Sequence, residues 1–65
     1  MESKIRISLA AARVNAGMSQ YEAAHTLHIS NKTLINWEKG KSKPSFSSLT
    51  VLSQIYNIPV DYIDI

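Results

Sequence analysis

The chain has 65 residues, 45% of them hydrophobic, a formal net charge of +2 and no cysteine. That length makes one domain over residues 1–65, near the lower limit for folding without staples, and the missing thiols exclude disulfides and cysteine-held metal. Two glycines and two prolines are too few for the turns of a small β-barrel, and no membrane-length apolar run or signal-peptide pattern appears, so a cytoplasmic, reducing environment is expected.

Caps and hydrophobic periodicity predict an all-α fold of five short helices. The first runs from about Lys4 to Ala16, with Ile5, Leu9 and Ala12 on one face at four- and three-residue spacing, and ends at Gly17. The second starts at the capping box Ser19-Gln20-Tyr21-Glu22 and continues to about Leu27, burying Ala23, Ala24 and Leu27. Two adjacent buried alanines call for the close approach of another helix. Ser30 caps the third helix, Asn31 to Lys39, which stops at Gly40. Only His28, Ile29 and Ser30 separate it from the second, and so short a turn forces a sharp crossing.

Lys41-Ser42-Lys43-Pro44 reads as a loop, because proline pushes the residue before it out of the helical region. Ser45 caps a fourth helix, Phe46 to about Tyr56, expected to bury Phe46, Leu49, Leu52 and Ile55. Asn57 suits a left-handed terminator, and Pro59 opens a final short helix, Val60 to Ile63.

The third helix decides the function. With Leu34 at zero and ~100° per residue, Trp37 falls at about 300°, so the buried direction lies near ~330°. Lys39, Lys32 and Asn36 come opposite, at roughly 140–200°, with Ile35 to one side at about 100° and Glu38 turned inward at about 40°. Lysine donates to guanine O6 and N7, and asparagine pairs bidentately with adenine N6 and N7, so this face suits a DNA major groove. Asn31 and Thr33 flank it near the helix start. The first amides of the second helix, with Ser19 and Gln20, offer a seat for a phosphate.

Four of the seven basic residues, Lys32, Lys39, Lys41 and Lys43, lie in one stretch, and after Lys43 come only acids, Asp61 and Asp64. The charge pattern alone fits an ordinary solvated face as well as a nucleic-acid surface. In the same way Ser19 and Ser30 are helix caps with or without DNA, and Trp37 shares the Leu34 face and belongs to the core.

Met18-Ser19-Gln20, Ala24, Leu27, Ile29-Ser30, Leu34, the run Trp37 to Lys41, and Pro44 together resemble the lambda-repressor-like helix-turn-helix family, of the Cro/CI or XRE type. Ile58 to Ile63 is similar to that family's closing segment, so the resemblance covers nearly the whole chain, with the motif itself at about 20–39. It implies a bacterial or phage-encoded, nucleoid-associated regulator, a repressor that binds a double-stranded palindromic operator as a homodimer. By the same resemblance Asn31, Lys32 and Asn36 face bases; the helix angles put Thr33 and Ile35 beside them, Ile35 towards a thymine methyl. Ser19, Gln20, Ser30, Lys39, Lys41 and Lys43 take the phosphates, and Arg13 and Glu38 form a structural ion pair. The chain departs from the family in two places: His28 stands where glycine is usual, and Pro59 where a serine-like cap is common.

Catalysis is not expected, since there is no glycine-rich phosphate loop and no convergent carboxylate pair. Glu22, His25 and His28 recur every three residues but fit one helix face poorly as metal ligands, so no metal or cofactor is expected. The rival reading is a protein-interaction module, such as an antitoxin, using the apolar C-terminal stretch. Within it Tyr62 and Ile65 are free to meet a partner or a second copy.

Overall fold

Serines set the helix starts. The computed structural model describes residues 6–65, and among these are four α-helices: α1 (Leu9–Asn15), α2 (Gln20–Leu27), α3 (Asn31–Lys39) and α4 (Phe46–Ile55). Their N-caps are Ser8, Ser19, Ser30 and Ser45. Each hydroxyl oxygen accepts the amide three residues on: Ala11 at 3.0 Å, and Glu22, Thr33 and Ser48 at 3.1 Å each. These amides have no partner inside the helix, and the serine oxygen supplies one. At α2 the Glu22 carboxylate also accepts the Ser19 amide, at 2.9 Å.

The helix ends share a device too. Gly17, His28, Gly40 and Asn57 have φ of 74°, 59°, 80° and 56°. After each, the next amide returns to a carbonyl five residues back: Met18 to Arg13 at 3.1 Å, Ile29 to Ala24 at 3.0 Å, Lys41 to Asn36 at 2.9 Å and Ile58 to Ser53 at 3.0 Å. Histidine and asparagine enter the left-handed region more readily than most residues, which lets His28 stand in for glycine in the α2–α3 turn.

The first helix is shorter than expected. Lys4 and Ile5 lie outside the described residues, and α1 begins only at Leu9. Ile7–Ser8 instead form a strand, β1, paired in parallel with β2 (Ile63–Asp64) in the register Ile7 to Ile63 and Ser8 to Asp64. Ser8 is both the end of the strand and the cap of the helix, so the helix cannot extend towards the N-terminus. The all-α expectation therefore holds for the body of the fold but not for this two-stranded clasp.

The expected fifth helix is a single 3-10 turn, Val60–Tyr62, so the described residues hold four α-helices and not five. Pro59 starts it with φ −60° and ψ 143° and no side-chain cap. The turn stops at once because Ile63 takes extended backbone to meet Ile7.

The core gathers Leu9 and Ala12 of α1, Ala23 and Ala24 of α2, Leu34 of α3, Leu49, Leu52 and Tyr56 at α4, and Ile63 of β2. Ala23 and Leu34 are wholly inaccessible, which is what the paired alanines called for: α2 packs closely on α3, and also on α4. Trp37 and Ile55 are partly buried against this cluster. Phe46, expected inside, is 75% exposed. It occupies the first position of α4, and the inward direction there belongs to Leu49, Leu52 and Ser53. Ser53 is buried without penalty because its hydroxyl donates to the Thr50 carbonyl at 2.7 Å. No helix among the described residues is long and apolar enough to cross a membrane.

Candidate nucleic-acid interface

The α2–α3 turn positions everything that follows. Its left-handed residue is His28, its middle residue Ile29 packs on the core, and Ser30 starts α3. With Leu34 fully buried, α3 has one orientation, and the residues opposite Leu34 are turned away from the core.

Asn31, Lys32 and Lys39 are exposed on α3, and Lys41 and Lys43 on the loop beyond it. Asn36, Thr33 and Ile35 are partly buried. The side-chain amides of Asn31 and Asn36 hydrogen-bond to no other described residue, whereas the Thr33 hydroxyl shares a 3.0 Å hydrogen bond with Ser30. The Asn36 carbonyl accepts the Lys41 amide, which folds the lysine-bearing loop back over the end of α3.

The acid in this region is turned away from the surface. Glu38 is the sole carboxylate between Glu22 and Asp61, and its side chain is only 6% exposed. Arg13 Nε donates to its Oε2 at 2.8 Å, and Arg13 Nη2 lies 3.4 Å from Oε1. Arg13 Nη1 donates to the Met18 carbonyl at 2.9 Å. The hydrogen bond to Glu38 raises the Arg13 pKa above its ordinary value although burial opposes it. With Glu38 paired, the residues from Asn31 to Lys43 present cations and amides to solvent without an opposing carboxylate.

Ser19 is exposed at the start of α2, its hydroxyl committed to the Glu22 amide. Gln20 is partly buried, and its Nε2 donates to Glu38 Oε1 at 3.0 Å. That bond was not legible in the sequence. The inward angle of Glu38 was readable, but its second partner depends on how α2 crosses α3. Tyr56 was missed as well. Its hydroxyl is buried with no partner among the described residues, and burial, helped by the nearby Glu38 charge, pushes its pKa up to about 12. It is neutral at ordinary pH.

Among the described residues no group of three His, Cys, Asp or Glu side chains is placed to hold a metal ion. His25 and His28 are exposed, and the His25 ring stacks on Tyr21 with centroids 5.8 Å apart. A cleft of about 440 Å³ is lined by Ala12, Asn15, Ile55, Tyr56, Ile58 and their neighbours, with no carboxylate or imidazole. Tyr62 and Ile65 are 42% and 47% exposed near the C-terminal end.

Residues 9–63 match the family model described as helix-turn-helix. Over 52 residues, 80% of the chain, the sequence is 42% identical to the HTH-type transcriptional regulator ImmR of Bacillus subtilis (strain 168). The matched part makes up 41% of that protein, so the chain spans about two fifths of the relative's length.

Proposed function

The chain belongs to the helix-turn-helix family, of the lambda-repressor-like XRE type, and from that premise we propose that it binds double-stranded DNA as a transcriptional regulator, with α3 in the major groove. The observation that carries the reading is the exposed edge of α3. Asn31, Lys32 and Lys39 stand out from a helix locked by Leu34, with the Asn36 amide unpaired among the described residues and Glu38 neutralised from behind.

In this reading Asn36 pairs with adenine and Lys32 with guanine, with Asn31, Thr33 and Ile35 at the flanks, Ile35 against a thymine methyl. Ser19, Gln20, Ser30, Lys39, Lys41 and Lys43 hold phosphates on both sides and set the orientation of the reading helix. One copy covers a half-site. A homodimer on a palindromic operator, with recognition helices about 34 Å apart, matches one turn of DNA. The exposure of Tyr62 and Ile65 favours this end as the dimer contact. Repression, of phage or mobile-element type, is the action that the likeness to phage repressors supports.

The test is selection of bound duplexes from a random pool, followed by titration of variants. Asn36→Ala lowers affinity for the selected duplex by ~1–3 kcal/mol and relaxes the preference at one base pair. Unchanged affinity in a Lys32→Ala, Asn36→Ala double variant refutes the groove assignment.

A further inference from the structure

We infer that the Asp64 carboxylate restrains the grip of Lys39 and Lys43 on a DNA phosphate, so that the end of β2 sets how tightly the domain holds any duplex. The inference rests on the proposed reading of α3 and the loop after it as the DNA-facing surface.

Within α3 and that loop no unpaired carboxylate faces the lysines, but one from the far end of the chain does. A cleft of about 320 Å³ lies between the start of α1, the end of α3 and the end of β2, and Ser8, Trp37, Lys39, Gly40, Lys43 and Asp64 are among the residues lining it. The clasp fixes Asp64 there, since β2 pairs with β1 in a register that sets Asp64 opposite Ser8. Ile63 is buried, and successive residues of a strand face opposite ways, so Asp64 is turned outwards and is exposed.

The other described acids do not compete for this role. Glu38 also borders the cleft, but Arg13 already holds its carboxylate at 2.8 Å. Glu22 accepts the Ser19 amide at the start of α2, and Asp61 does not line the cleft. Lys39 and Lys43 are exposed, and among the described residues neither forms an ion pair with Asp64. The two cations are therefore available to a phosphate, with an anion fixed beside them.

A phosphate held by Lys39 and Lys43 brings further negative charge to the mouth of the same cleft. Exposed charges still feel one another over a Debye length, about 10 Å at 0.1 M salt. Asp64 repels the phosphate and offsets the attraction of the lysines, without touching a base. Phosphates are the same in every duplex, so the restraint applies to all sequences alike.

The experiment measures the affinity of wild type, Asp64→Asn and Asp61→Asn for a duplex selected by the wild type and for a scrambled duplex of equal length. Asp61→Asn makes the same change of net charge away from the cleft. At about 0.1 M salt, Asp64→Asn is expected to bind both duplexes about two- to fivefold more tightly, the size of one exposed charge interaction. Asp61→Asn changes either affinity by less than about 1.5-fold. On the selected duplex the gain from Asp64→Asn falls below about 1.5-fold at about 0.3 M salt, where screening is stronger. It falls as far at the lower salt when Lys39→Ala and Lys43→Ala are already in place, as charges acting at one place require. A role confined to the strand pairing gives unchanged or weaker binding and cannot produce a gain. Asp64→Ser serves the same comparison should Asp64→Asn fail to fold. Equal gains from the Asp64 and Asp61 variants, a gain on one duplex alone, or no gain overturn the inference and leave the DNA reading standing. A wild type that selects no duplex overturns both.

Discussion

The ends of α2 and α3 are built alike and used differently. Both stop at a residue of positive φ, His28 at 59° and Gly40 at 80°, and in both the following amide returns to a carbonyl five residues back. After α2 that following residue is Ile29, which packs on the core; after α3 it is Lys41, which is exposed. At the ends of α1 and α4 the same position holds Met18 and Ile58, both packed like Ile29. The backbone reversal therefore needs only the left-handed residue. The next side chain decides whether the chain is drawn into the core or released along the surface. Only after α3 does it release the chain, and there it delivers a cation to the carbonyl end of the helix, where the dipole favours it.

The largest effect should come from exchanging these two fates. Ile29→Lys forces an ammonium against the core and is expected to cost about 2–3 kcal/mol, read from the denaturant midpoint. A loss below about 0.5 kcal/mol, the range of an ordinary surface change, would show that Ile29 does not anchor the turn. Next come the left-handed positions. Gly40→Ala meets nothing within 4 Å, so its cost is conformational alone, about 1–2 kcal/mol, whereas His28→Gly should gain up to about 1 kcal/mol. Opposite signs in thermal unfolding support the account, and equal signs break it. The smallest stability effect belongs to Lys41→Ile, within about 0.5 kcal/mol. The same change should weaken every duplex and flatten the salt dependence of binding by about one unit. If Lys41→Ile instead stabilises the fold as strongly as Ile29→Lys harms it, the two ends are equivalent and the contrast is lost.

Much of this was readable from residue types. Ser19, Ser30 and Ser45 announce helix starts because their hydroxyls complete a local ring of atoms. Gly17, Gly40 and Asn57 announce ends for an equally local reason. Leu34 and the Ala23-Ala24 pair give the inward faces by periodicity. What was not readable depends on partners distant in the chain. Ile7 looked helical until Ile63 was beside it, and a strand of two residues has no period to detect. Phe46 looked buried because it is large and apolar, but its place at the first turn of α4 keeps it outside. Gln20 looked like a surface donor, since its bond to Glu38 exists only once α2 has crossed α3. The exposed polar edge of α3 and the pairing of Arg13 with Glu38 behind it were legible; the bond from Gln20 to Glu38 was not.

The clasp of β1 and β2 has a mechanical consequence. Because the two strands run in the same direction, pulling the chain backwards before Ile7 and forwards after Asp64 loads their hydrogen bonds in shear, all at once. An antiparallel clasp at the same place would open one bond at a time, like a zipper. A short parallel pair can therefore brace the domain against tension far better than its four residues suggest.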